Sequence, residues 1–264
     1  MAPTEWRSGD RAILTHLLFI CFVAVAVYVQ NLTGFALALI LLGLVGVVDL
    51  VPLPDASNAV CALSVVNAVM YFSRTRLGKI ERAVFPAMGA SLLGYAMGMA
   101  LLVYLAAGSY ELLRSILGFS VVTCALLLWR AGKPLEQTSP TGHFAAVGTL
   151  SGILGGLFST AGPPLVYLAY RQPWPIDRIQ ASLVFCFGVG GGFRLVVMAA
   201  TGHFSAMAIQ LAVVAIPVTM VVTAWAANRP PPISRQAIQH IVCVLLVISG
   251  GWTLVSSLLA MLSN

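Results

Sequence analysis

Two stretches of this chain interrupt long apolar runs with groups that can hold an anion. Gln30-Asn31-Leu32-Thr33-Gly34 sets two amides, a hydroxyl and a glycine into the run from Ala12 to Val51. Ser159-Thr160-Ala161-Gly162-Pro163-Pro164 sets two hydroxyls, a glycine and two prolines into the run from Phe144 to Tyr170. Proline has no amide hydrogen, so a helix opens at Pro163 and Pro164. Opened backbone at membrane depth is tolerated only where it is buried in protein or lines a wet cavity. N–H groups freed at the start of a half-helix bind anions, helped by the helix dipole. The chemistry is therefore reversible anion binding where the two breaks meet. The competing reading is a pair of kinks that only let helices pack.

Other polar residues lie within apolar runs. Arg194 is the only charged residue deep inside one, eight residues before Gly202. That is about 12 Å along a helix, of which snorkelling covers about 6 Å. An arginine near mid-membrane costs about 2.5–3.5 kcal/mol on insertion scales. Arg194 either faces substrate or a gate, or it is paired structurally or snorkels. Asn67 and Ser64 lie mid-span and bond either a broken helix or a ligand. Asn58 and Gln180 follow two acidic turns, where capping and gate contacts are equally open. Arg114 lies near a run end and is read as snorkelling.

Composition sets the class. Of 264 residues 59% are hydrophobic and only 8% are charged, against roughly 25% charged in a soluble domain. A soluble enzyme and a nucleic-acid binder are excluded. The excess of +6 is spread between apolar runs rather than gathered on one face. No GxxxxGK[ST], HExxH, GxSxG or CxxC pattern is present, so an ATP-driven pump and the common membrane hydrolases are unsupported. The chain reads as a non-enzyme without cofactor. Cys21, Cys61, Cys124, Cys186 and Cys243 all lie in apolar runs and read as small core hydrophobes. Neither a disulfide nor a metal site is expected, and the four scattered histidines show no ligand spacing.

The elements that must position these groups are helices. Besides the two broken runs there are apolar runs over 56–73, 83–107, 112–129, 181–200, 204–227 and 237–262. They are too long and too evenly apolar for strands. The fold class is all-α polytopic membrane protein. Arg7 and Arg11 before the first run mimic a signal peptide, but no clear cleavage site closes it, so it is read as structure.

The two halves share an order of elements. Each starts with a broken run, followed by an acidic turn with Asp55 or Asp177 and then two long runs. The expected organisation is a first transmembrane repeat over 1–130, a cytoplasmic linker over 131–142 and a second repeat over 143–264. Each repeat has about four helices, the first one broken, a signature of secondary transporters. The first broken run is too long for one crossing and must fold back or kink. The second is expected to dip in and return. That return gathers Arg74, Arg76, Lys79, Arg82, Arg130, Lys133, Arg171, Arg178, Arg229 and Arg235 on the cytoplasmic side, as the positive-inside rule asks. It leaves three full spans per half, so the repeats are expected to be inverted, with Arg7 and Arg11 as the charges that fit badly. Glycines at four-residue spacing, such as Gly94 with Gly98 and Gly148 with Gly152 and Gly156, are read as close helix contacts.

The stretches Gln30-Asn31-Leu32-Thr33-Gly34-Phe35-Ala36 and Ser151-Gly152-Ile153-Leu154-Gly155-Gly156-Leu157-Phe158-Ser159-Thr160-Ala161-Gly162-Pro163-Pro164-Leu165 resemble the sulfite exporter TauE/SafE family of bacterial membrane permeases. The resemblance runs through nearly the whole chain. It implies export of sulfite or a small organosulfonate across the inner membrane. The substrate-binding residues expected are Gln30, Asn31, Thr33, Gly34, Asn67, Ser159, Thr160, Gly162 and Arg194. The partners expected are a small anionic substrate and the lipid bilayer, with no nucleic acid and with room for a homo-oligomer. The alternatives are a transporter or channel for another small anion, such as a carboxylate or thiosulfate, and a non-transporting membrane scaffold.

Overall fold

The computed structural model describes residues 8–74, 79–108, 110–130, 134–159, 162–228 and 235–263. Among them every regular element is helical: α1 (Ser8–Thr33), α2 (Ala36–Val48), α3 (Leu53–Phe72), α4 (Phe85–Gly108), α5 (Tyr110–Trp129), α6 (Thr141–Phe158), α7 (Gly162–Arg171), α8 (Ile176–Ala200), α9 (Ala206–Asn228) and α10 (Arg235–Ser263), with one 3-10 turn before α4. Six described spans are long and apolar enough to cross a membrane. The outer surface confirms the solvent: Leu93 and Val221 are 72% and 67% exposed, as lipid-facing residues are. The chain is a multi-pass membrane protein.

Local sequence explains the helix boundaries. Pro52, Pro140 and Pro175 stand immediately before α3, α6 and α8. A proline there loses no helical hydrogen bond, because the first-turn N–H groups have no intrahelical partner. Asp55 and Asp177 occupy the first turns of α3 and α8, where the helix dipole favours negative charge. Gly162, Pro163 and Pro164 open α7, so the paired prolines start a helix as well as ending the preceding one.

The most extensive helix pairings follow one rule. α4 packs on α6 and α9 on α1; α5 packs on α7 and α10 on α2; α3 packs on α8, and α5 on α10. The set is unchanged if α1–α5 exchange with α6–α10. The pairs that map onto themselves run antiparallel. Asn58, near the start of α3, donates to the His203 carbonyl just past the end of α8 at 3.0 Å. Lys79, after the end of α3, meets Asp177 at the start of α8 at 3.1 Å. Ser115, early in α5, lies 2.9 Å from Ser257, late in α10.

Small residues set the closest contact. A Cβ on Gly94 would lie 2.2 Å from the Thr149 carbonyl, and one on Gly98 would lie 2.1 Å from that of Ile153. From the other side, Gly148, Gly152 and Gly156 meet the backbone carbonyls of Ala87, Ser91 and Tyr95. The spaced glycines thus let α4 and α6 touch backbone to backbone.

The second broken run is a hairpin. The Leu135 N–H donates to the Arg171 carbonyl at 2.7 Å, and the Ser139 N–H to Gln172 Oε1 at 2.9 Å. The end of α7 therefore returns to the level at which α6 begins. Ion pairs Lys79–Asp177 and Arg178–Glu81 tie this end to the segment after α3. Arg74, Lys79, Arg171 and Arg178 thus gather at one end of the bundle, called here the basic end. Arg7, Arg76, Lys133 and Arg229 lie outside the described residues. Arg114 does more than snorkel: it donates to the Gly46 carbonyl at 3.1 Å and so ties the end of α2 to α5.

Candidate functional site

Both breaks are built alike. The leading half-helix supplies a side chain that accepts a hydrogen bond from the first turn of the trailing one. Gln30 Oε1 accepts from the Leu37 N–H at 2.9 Å, and Ser151 Oγ accepts from the Leu165 N–H at 2.9 Å. The turn out of α1 requires Gly34, whose φ is +87°, a conformation glycine adopts without steric cost. A Cβ there would also lie 2.9 Å from Gln180 Cα. α6 ends on Ser159 at φ +56°. For a non-glycine residue this left-handed conformation costs about 1–2 kcal/mol, and such strain clusters at functional sites.

The breaks meet at a narrow cavity. Gln30, Phe35 and Leu37 come from the first break and Ser159 from the second, with Ser64 and Phe187 between them. Ser64 lies near the middle of α3 and Phe187 near the middle of α8, so the cavity is level with the middles of these two helices. Its free volume is about 10 Å3, roughly room for one water centre. An oxyanion is larger than this space and enters only if the walls part.

The two half-helix N-termini differ as anion sites. Pro163 and Pro164 remove two donors from the first turn of α7, and Ser151 occupies that of Leu165. α2 keeps the N–H groups of Ala36, Leu37 and Ala38, and only Leu37 is engaged by a side chain, that of Gln30. The donor-rich end facing the cavity therefore belongs to α2.

Two polar clusters flank the cavity. Toward the end away from the basic one, Arg194 is fully buried. Its Nε donates to the Gly156 carbonyl at 2.9 Å; its Nη1 donates to the Ser57 carbonyl at 2.9 Å and lies 2.9 Å from Cys61 Sγ. Cys61 Sγ in turn lies 3.0 Å from Ser159 Oγ on the cavity wall. Toward the basic end, Asn67 Nδ2 donates to Thr223 Oγ1 at 2.9 Å and to Asn31 Oδ1 at 3.4 Å. Asn31 Nδ2 donates to the Val27 carbonyl at 2.8 Å and reaches the same threonine at 3.3 Å.

Thus Gln30 and Ser159 share the cavity, Asn31 and Asn67 sit together beside it, and Arg194 sits beside it on the other flank. Thr33 turns its hydroxyl back to the Val29 carbonyl at 2.8 Å, while its own carbonyl accepts from the Tyr170 hydroxyl at 2.7 Å. Gly34 is the hinge, and Gly162 opens α7. Thr160 and Ala161 lie outside the described residues. Gln180 donates to the Leu32 carbonyl, and Asn58 to that of His203. Sequence reasoning passed over Cys61 as core and did not single out Ser57, Ser151 or Thr223. One signal was available: Ser57, Cys61, Ser64 and Asn67 recur at helical spacing on α3.

Each end of the bundle has its own set of polar contacts. At the basic end, Arg178 Nη1 meets Glu81 at 2.7 Å, Lys79 meets Asp177 at 3.1 Å, and Arg74 donates to the Ala224 carbonyl at 3.2 Å. At the other end Ser205 Oγ donates to Asp55 Oδ1 at 2.6 Å, beside the Asn58 contact.

Membrane-length helices around a narrow cavity lined by two helix breaks are the architecture expected of a multi-pass membrane transporter. The chain belongs to the sulfite exporter TauE/SafE family, which it matches over residues 18–253. A Cupriavidus necator protein named "Probable sulfite/organosulfonate exporter TauE" is 28% identical over 228 residues, covering 85% of this chain and 88% of its own. No solved structure matches the chain.

Proposed function

We propose that the protein exports a small sulfur oxyanion, sulfite or an organosulfonate, across the bacterial inner membrane through the cavity where the two breaks meet. The observation that carries this is the capped N-terminus of α2. Gln30 Oε1 holds the Leu37 N–H inside the cavity, as a neutral stand-in for an anion's oxygen. An arriving oxyanion takes that donor and its neighbours, and the Gln30 amide turns to offer its own N–H. Ser159 offers a hydroxyl from the opposite wall. Arg194 supplies the positive charge, one thiol away from Ser159. The name of the Cupriavidus necator relative supports this substrate class.

The helix pairings support two inverted repeats, 1–130 and 143–264, joined by a cytoplasmic linker at the basic end. α3 with α8, and α5 with α10, are the symmetry-related pairs, and each runs antiparallel. Opposed repeats let one end open while the other stays shut. The driving force needs no proton site in the protein. An anion leaving an inside-negative cell moves downhill by about 2.3 kcal/mol per charge per 100 mV.

Flux from proteoliposomes under an imposed potential tests the reading, with sulfite, methanesulfonate, thiosulfate and acetate compared. Saturable, potential-driven flux of sulfite or methanesulfonate is expected. Saturation by acetate or thiosulfate alone would reassign the substrate, and flux that never saturates would indicate a channel. Folded protein without flux of any anion would favour a scaffold.

A further inference from the structure

One face of α3 is polar and buried on both sides of the cavity. Ser57, Cys61, Ser64 and Asn67 follow one another at spacings of four, three and three residues, the repeat of a single helix face. All four are buried, whereas Val69 on the opposite face is 64% exposed. Ten residues of helix cover about 15 Å of depth. At the middle of that length Ser64 lines the cavity.

The flanking positions are polar stations with unmet hydrogen bonding. Beside Cys61, Arg194 Nη2 is buried and has no hydrogen-bond partner among the described residues. On the other flank Asn67 Oδ1 is also buried without a partner. Turning the Asn67 amide over would leave its nitrogen unmatched instead. A buried unmatched polar group costs about 1–3 kcal/mol, more when charged, and each such group calls for a ligand or a functional reason. Both groups flank the one cavity at which the helix breaks meet, and both can donate to an oxyanion once the Asn67 amide has turned.

We infer that the buried face of α3 is the path along which the anion moves. It has a waiting position at Asn67, Asn31 and Thr223 toward the basic end and an exit position at Arg194 and Cys61 toward the other. The path rests on the transporter reading above and adds two subsites to its central one. Soft and hard partners differ along it. The exit position offers a guanidinium and a thiol, whereas the waiting position offers amides and a hydroxyl.

Cys61 is a native reporter for the test. Cys21, Cys124, Cys186 and Cys243 are replaced by alanine, leaving Cys61 alone. Ser57→Cys, Ser64→Cys, Asn67→Cys and the lipid-facing control Val69→Cys are made separately with Cys61→Ala added. Each protein, in liposomes, is treated with a small methanethiosulfonate reagent, with methanesulfonate as the probe anion, because sulfite would consume the reagent. Labelling of Cys61 is expected to stop flux, and labelling of Ser64→Cys to stop the flux that variant retains. At ten times its dissociation constant, methanesulfonate should slow that labelling about tenfold by simple occupancy. A membrane-impermeant reagent should reach Asn67→Cys from the basic end and Ser57→Cys from the other. Labelling at Val69→Cys should ignore the anion.

Labelling of Cys61 and Ser64→Cys that methanesulfonate does not slow, or that leaves flux intact, would overturn the path. So would flux that persists while none of the four face positions ever reacts. Failure of the transporter reading looks different, because wild-type liposomes would then carry no anion at all. If an introduced cysteine prevents folding, Cys61 in its natural place still decides.

Discussion

The Cys61 thiol and the Arg194 guanidinium, 133 positions apart in the chain, meet 2.9 Å apart in full burial. Through this contact α8 is joined to α3, and the Gly156 carbonyl adds α6. Arg194 therefore holds three helices together at the second break, with one donor arm unmatched among the described residues. Arg194→Met is expected to lose two charge-assisted hydrogen bonds, each worth about 1.5–3 kcal/mol, and all flux. Arg194→Lys keeps the charge but cannot reach both carbonyls. It should fold with reduced stability and retain weak flux at raised KM. Thermal unfolding and flux measured together check this; a lysine variant as inactive as the methionine variant would make the role purely structural.

Gly34 should tolerate no side chain. Its φ of +87° and the 2.9 Å approach to Gln180 Cα act together. Gly34→Ala is expected to cost more than about 1–2 kcal/mol, the conformational part alone. Gly89→Ala, one turn inside α4, meets nothing within 4 Å and should gain about 0.5–1 kcal/mol. Melting temperatures of the two variants in detergent give the comparison.

The ion pairs at the basic end should govern opening more than stability. Lys79, Asp177 and Arg178 each have about half their side-chain surface exposed, and exposed pairs are worth about 0.2–1 kcal/mol. Glu81→Gln combined with Asp177→Asn should leave unfolding nearly unchanged. It should raise the labelling rate of a cysteine placed at Ser64, applied from the basic end. Exchanging the charges of Lys79 and Asp177 should bring the rate back down.

Ser159 separates backbone from hydroxyl effects. Ser159→Gly relieves the left-handed strain of about 1–2 kcal/mol, whereas Ser159→Ala keeps it. Both lose the contact with Cys61 Sγ. The glycine variant should therefore be the more stable of the two, with flux lowered in both. Paired melting and flux measurements test it.

The positions of both breaks were legible because glycine and proline act locally. Gly34 and Pro163-Pro164 announce a chain that cannot stay helical, whatever surrounds it. The lengths of the runs likewise announced a returning second hairpin. Partners across helices were not legible. Asn31 and Asn67 look like cavity residues in one dimension, but their amides meet Thr223 of α9, and nothing local in the sequence points from α1 or α3 to that threonine. Arg194 was visible as a buried charge, yet its acceptors are backbone carbonyls that carry no sequence signal. Cys61 read as core because its significance lies in the arginine and serine that the fold brings to it.

The central claim is that the α2 N-terminus, held by Gln30, receives the anion. Gln30→Glu tests it most directly, because the change is nearly isosteric and places a fixed carboxylate on the same donor. Methanesulfonate binding is measured by thermal stabilisation of the wild type and of Gln30→Glu. Stabilisation of the wild type is expected to saturate with methanesulfonate, with none in a folded Gln30→Glu protein, whose own carboxylate fills the position. Equal stabilisation of both proteins would place the anion elsewhere and contradict the account.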